Sequence, residues 1–256
     1  MDIMTLIGVI IAFGSILLGY IFSDGSVLAL MKPTSALIVL GGTIGATMIS
    51  FPSITIKKMP ILIKLAFKKN NFDLSEHIKY FKEVSIKTRK NGLLSLEVEI
   101  TDDLDPFIRK GLQMVVDGIE PSSVKGILNT KLEQLVSRHD DCIEMFSAAG
   151  GYAPTMGIVG TVTSLVIVLA NLANAATMGG EIASAFVATL YGLGTANLFW
   201  LPIASKLKEI NKAEIIEKEM IIEAVLFIQE GINPNTLVSK LSGYLTDDQA
   251  KLLEDI

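Results

Sequence analysis

The chain has 256 residues, half of them hydrophobic, a mean hydropathy of +0.51, 19% charged residues and a formal net charge of −5. A soluble domain carries about a quarter charged residues, so the apolar surplus is expected to face lipid, and the negative balance argues against a nucleic-acid partner. The lone Cys142 excludes an internal disulfide framework and a zinc cage built from Cys pairs, and the two histidines, His77 and His139, are far apart.

The first apolar stretch, Ile3–Phe22, follows an acidic flank at Asp2 and has no small-residue cleavage site, so it is predicted to be a retained transmembrane helix rather than a secretory signal. A second span is predicted over 34–56. A third begins in the uncharged stretch after Glu144 and ends near Leu172, and a fourth covers 182–205. Short loops, 23–33 and 173–181, join these into two hairpins. Lys57, Lys58, Lys64, Lys68 and Lys69 follow the second span, and Lys206, Lys208 and Lys212 follow the fourth. The short loops hold only Asp24, Lys32 and Glu181, so both termini and the long middle segment are expected in the cytoplasm.

The middle segment reads as soluble helices. Leu74, Ile78, Phe81 and Val84 mark a helix over 72–90 at close to helical spacing. Gly92 breaks it, and 93–100 resumes; β-propensity in LEVEI is weighed against its helical neighbours and the segment is read as helix. Asp105 and Pro106 start a helix that Gly118 ends, and Ser122 or Ser123 starts another that runs to Met145. After the fourth span a charged helix over 206–230 stops at Gly231 and Pro234, and a short amphipathic helix closes the chain. The expectation is an all-α integral membrane protein: a transmembrane hairpin (1–56), a cytoplasmic helical domain (57–144), a second hairpin (145–205) and a cytoplasmic helical tail (206–256).

No Asp, Glu, Lys, Arg or His falls inside the four predicted spans. A chain that relays ions by itself keeps an ionisable group at membrane depth, so here a partner helix must supply the carboxylate. The third span opens GGYAPTMGIVGTV, with Gly150, Gly151, Gly157 and Gly160 among Thr155, Thr161 and Thr163. A nucleotide loop would follow a strand and bring a Lys or acid, so that reading is rejected. Two readings stay open: packing by small residues, with each Thr bonded to its own helix, or a polar stripe along an ion path through Thr155, Thr161 and Thr189. Pro154 and Pro202 fall at the same side of the membrane, either as ordinary kinks near helix ends or as a coupled hinge. Gly41 and Gly45 form a small-residue pair for close helix contact, within or between subunits. The acids at Asp102, Asp103 and Asp105 read as charge ahead of a helix, and His139-Asp140-Asp141 as solvated surface. With no nucleophile–base pair, metal cluster or cofactor motif, the chain is not read as an enzyme.

The motifs KPTSALIVLGGTIGATMISFP, GGYAPTMGIVGTV and AFVATLYGLGTANLFWLPIASKLK resemble the MotA branch of the MotA/TolQ/ExbB proton-channel family, as do RKNGLLSLE and the tail IQEGINPNTLVSKLSGYL. Two spans before the cytoplasmic domain, where the ExbB and TolQ energisers have one, favour a flagellar stator in the inner membrane. The resemblance implies a ring of five copies around a MotB dimer whose transmembrane Asp carries the ion. It further implies that Arg89 and Glu97 face the rotor protein FliG, that Pro154 and Pro202 couple ion flow to torque, and that Thr161 and Thr189 line the pore. Arg89 and Glu97, eight apart, would share one side of a continuous helix, although Gly92 lies between them. The alternative class is an ExbB- or TolQ-type energiser of a TonB- or Tol-like system. A charge-free Thr and Gly lining suits protons or sodium ions alike.

Overall fold

The computed structural model describes residues 2–68, 73–171 and 175–246, and among them every regular element is helical. Two compact units form: Met1–Asn70 with His139–Glu209, and Asn71–Arg138 with Ile210–Ile256.

In the first unit, α1 (Ile3–Phe22) opens on Asp2, whose carboxylate accepts from the Met4 N–H (3.2 Å) and the Thr5 hydroxyl (2.9 Å). Its 20 residues reach about 30 Å, the thickness of the hydrocarbon layer. None of them is fully buried within the chain; Thr5, Val9 and Ala12 are half-buried, and most of the remaining residues are exposed and free to meet lipid or neighbours. Helix α2 (Pro33–Ser50) starts on Pro33 and carries a π turn at Leu37–Gly41. It ends earlier than the predicted 34–56, because Pro52 forces Phe51 into an extended conformation (φ −123°, ψ 149°). The turn Ser53–Ile56 and α3 (Met59–Phe67) follow separately.

In the second unit, Asp73 caps α4 (Leu74–Asn91) by accepting from Ser75 N–H at 3.1 Å and Glu76 N–H at 3.3 Å. Lys69 and the predicted start at Phe72 lie outside the described residues. Gly92 stops α4 with φ +84°, a conformation an L side chain rarely adopts, and Leu93–Glu99 then forms a tight 3₁₀ helix rather than a strand or an α-helix. Asp105 caps α5 (Pro106–Val116) through Phe107 N–H (2.7 Å) and Ile108 N–H (3.2 Å), as its sequence signature predicts.

The two longest helices differ most from the sequence reading. The predicted helix ending at Met145 and the third span are one helix, α6 (Pro121–Ala170), of 50 residues. Gly150, Gly151 and Pro154 lie inside it: Pro removes one backbone bond, and packing holds the rest. The expected end near Leu172 and most of the loop 173–181 fall outside the residues whose side chains are described. The fourth span starts earlier than predicted, as α7 (Ala175–Thr195), passes through a π turn at Ala196–Trp200 and continues as α8 (Leu201–Gln229). Gly231, at φ +67°, ends it, and Asn233 caps α9 (Pro234–Leu241). The final residues, 247–256, lie outside the description.

The second unit's core gathers Ile78 and Phe81 of α4, Leu96, Leu112 of α5, Leu128 of α6 and Val225 of α8, all fully buried. Lys218 is buried beside it and pairs with Asp105 at 3.1 Å and Glu217 at 3.5 Å, while Glu217 also meets His77 Nε2 at 2.7 Å. Burial alone would raise Asp105, but the Lys218 ammonium and two backbone N–H donors outweigh it and hold the carboxyl below its ordinary range. The first unit's core packs Met145, Phe146, Ala149 and Ala153 of α6 against Ala196, Trp200 and Ile203.

Candidate functional site

Helices α6 and α7 touch through glycine. A Cβ on Gly192 would sit 2.7 Å from the Ala153 carbonyl oxygen and 2.9 Å from Gly157 Cα, and one on Gly160 would sit 2.8 Å from Ala188 Cβ. Only bare backbone fits, and these small residues let the helices approach closely. Of the second-span pair, neither Gly41 nor Gly45 has anything within 4 Å of a Cβ position; the contact inside the chain falls on Gly42, against Met156 Sδ at 2.6 Å.

Beside this crossing the Thr161 and Thr189 hydroxyl oxygens lie 2.5 Å apart. Thr161 Oγ1 is also 3.0 Å from the carbonyl of Gly157 on its own helix and 3.0 Å from that of Ala185 on α7. A hydroxyl has one proton, and carbonyls only accept. When Thr161 donates to a carbonyl, Thr189 must donate to Thr161; when Thr161 donates to Thr189, the Thr189 proton is released for another acceptor. The pair therefore has two hydrogen-bond states, and both residues are half-buried rather than sealed.

Thr155 does not join them. It is exposed and donates to the Tyr152 carbonyl at 2.7 Å. Six residues separate it from Thr161, which turns the two side chains about 120° apart on a helix. Thr163, of the same motif, is likewise exposed and donates to Val159 O at 2.7 Å.

Pro154 is half-buried inside α6, and Pro202 is exposed at the second position of α8, just after the π turn. The widened turn accommodates a residue without an N–H. The carbonyl that Pro154 leaves without its helical donor belongs to Gly150. A Cβ on Gly150 would lie 2.5 Å from Leu201 Cδ2 and 3.5 Å from Trp200 Cβ, so the place where α6 lacks a backbone bond abuts the residues that precede Pro202. One turn beyond Pro202, Lys206 makes a short hydrogen bond to Asp2, which with Thr5 draws that carboxyl down to about 2.

Arg89 ends α4 and Glu97 lies in the 3₁₀ helix, both exposed. The continuous helix expected between them is broken at Gly92. The ion pair across that turn is Lys87–Glu99 at 2.7 Å, and among the described residues neither Arg89 nor Glu97 forms one.

One group escaped the sequence reading. Glu181, assigned there to a loop, lies inside α7, and its Oε2 is buried without a hydrogen-bond partner among the described residues. The adjacent Gly179-Gly180 disguised the helix start. An ionisable residue flanking an apolar window is the signal that could have found it.

The model of the MotA/TolQ/ExbB proton channel family matches residues 99–220, and that of the motility protein A N-terminal region matches residues 6–92. Motility protein A of Bacillus subtilis (strain 168) is 39% identical over 256 residues, covering 99% of this chain and 95% of its own length. Two solved structures share the fold. The flagellar MotAB stator complex from Bacillus subtilis matches at a TM-score of 0.90 and 39% identity, over 96% of this chain and 98% of that one. C. jejuni MotAB matches at 0.92 and 32%, over 97% of both.

Proposed function

This chain belongs to the MotA/TolQ/ExbB proton channel family, and we propose that it is the ion-conducting stator subunit of a bacterial flagellar motor. Five copies ring a dimer of a MotB-like partner in the inner membrane, with both termini and the second unit in the cytoplasm. The partner's transmembrane Asp carries the ion past Thr161 and Thr189. Each charge releases about 2.3 kcal/mol per 100 mV, and the ring turns that into torque on FliG through Arg89 and Glu97, with Pro154 and Pro202 as the flexing points between membrane and cytoplasmic helices.

The observation that carries this reading is the Thr161–Thr189 hydroxyl pair. It is a polar group with two hydrogen-bond states that joins two membrane-length helices. Polar neighbours offset the desolvation of an ion in a low-dielectric path. The full-length likeness to motility protein A supports a stator over a TonB- or Tol-type energiser. Co-purification tests it: a partner with a peptidoglycan-binding domain is expected, and a TonB-type partner would overturn the reading.

A further inference from the structure

A cavity of about 250 Å³ opens between α2, α6 and α7, lined by Thr34, Ser35, Thr163, Ser164, Glu181 and Ser184, with Ile38 and Ile167 as its apolar wall. Three of the five lining hydroxyls have given their protons away. Ser35 donates to the Ser184 carbonyl (3.2 Å), Thr163 to Val159 O (2.7 Å) and Ser184 to Gly180 O (2.8 Å). Each is left with lone pairs only. Glu181 adds a carboxylate whose Oε2 is buried and has no hydrogen-bond partner among the described residues. A buried carboxylate oxygen without a donor is costly unless a cation or proton occupies it. Beside the hydroxyls of Thr34 and Ser164, the lining thus offers three oxygen acceptors and one negative charge, and oxygen ligands of this kind suit a hard cation.

The position fits as well. Glu181 stands eight residues before Thr189, about 12 Å along α7, and Ser164 stands three residues after Thr161 on the antiparallel α6. The cavity therefore lies next to the hydroxyl pair, on the side where α6 ends and α7 begins.

We propose that this cavity is a staging site for the transported monovalent cation, sodium or hydronium, held at the Glu181 carboxylate before it reaches the Thr161–Thr189 pair. The inference rests on the proposed ion-conducting role, but the binding step does not need rotation. The test uses the purified complex of this chain with its partner. Its unfolding temperature is measured in sodium chloride against choline chloride at fixed pH, and across pH in choline chloride alone. In one of the two arms the wild-type complex is expected to gain a saturable stabilisation, with a midpoint that moves by more than about tenfold in Glu181→Gln and is restored in Glu181→Asp. A sodium effect identifies the metal ion as occupant; a pH effect removed by Glu181→Gln identifies the proton. If Glu181→Gln matches wild type in both arms, the staging site is overturned. Ion flux into vesicles, measured in parallel, separates the two ideas: flux that persists unchanged with no Glu181-dependent binding sinks this inference alone, whereas binding without any wild-type flux sinks the stator reading.

Discussion

Thr161 Oγ1 of α6 and Thr189 Oγ1 of α7 lie 2.5 Å apart, and the Ala185 carbonyl, four residues before Thr189, is taken by Thr161 rather than by Thr189. The bond that would make Thr189 an ordinary helix-interior threonine is thus replaced by one between helices. Thr189→Val keeps the shape and removes the hydroxyl. It is expected to leave the ring assembled, at a stability loss of about 1–3 kcal/mol or less, while abolishing ion flux and rotation. Unchanged flux would make the pair a packing contact and place the ion path elsewhere.

The glycine crossing supplies a second prediction. Gly192→Ala puts a methyl 2.7 Å from the Ala153 carbonyl and 2.9 Å from Gly157 Cα, both backbone atoms that cannot turn aside. Parting the helices is expected to cost about 1–3 kcal/mol, and Gly157→Leu is expected to break the oligomer. Gly45→Ala meets nothing within 4 Å among the described residues, and a loss of assembly in that variant, with the subunit still folded, is the result expected if Gly45 packs against a neighbouring subunit. Detergent-resistant assembly on native gels reads all three.

What could be read from sequence was what local chemistry decides. Asp105, Pro106 and Gly118 bracket α5 as expected because a cap, a fixed φ and a positive φ act within a few residues. The four apolar spans were visible for the same kind of reason, since length and lack of charge suffice. Where packing decides, sequence failed. Gly150, Gly151 and Pro154 look like a helix boundary but sit inside the 50-residue α6, where Ala149, Ala153 and their buried neighbours hold the helix together. Glu181 looks like loop because its glycines do. Thr155 shares a membrane depth with Thr161 and Thr189, but its six-residue spacing from Thr161 puts the two on different faces of α6.

The proposed rotor-facing role of Arg89 and Glu97 comes from the resemblance of RKNGLLSLE; both are exposed and form no ion pair among the described residues, while Lys87 and Glu99 pair across the Gly92 turn. Single surface charges contribute about 0–1 kcal/mol, so Arg89→Glu or Glu97→Lys alone is expected to slow swimming only in part. Reversing both should stop it, with complex assembly intact. Torque at wild-type level in the double variant would reduce the two residues to ordinary solvated charges. Lys87→Glu is the contrast: it opens the turn, and should show as faster amide exchange over 93–99.

Asp2 ties the start of α1 to Lys206, one turn past Pro202, and its own backbone N–H donates to the Phe67 carbonyl at 3.0 Å. The start of α1 is thereby fastened at the level where α8 is expected to flex. The hydrogen bonds from Lys206 and Thr5 lower the Asp2 carboxyl from 3.8 to about 2. A depressed folded value means that the contribution is fully present above the unfolded value and fades only as pH falls from about 4 toward 2. Swimming near neutral pH should therefore show no titration from this pair. Asp2→Asn removes the charge without changing the shape. It is expected to loosen α1, seen as faster amide exchange over the first turn, and to lower torque per ion without altering Glu181-dependent cation binding. Lys206→Gln should do the same, and the double variant should be no worse than either single one, because each already breaks the one bond. If Asp2→Asn and Lys206→Gln instead add, the two residues act through separate contacts and the tie is not what steadies the Pro202 region.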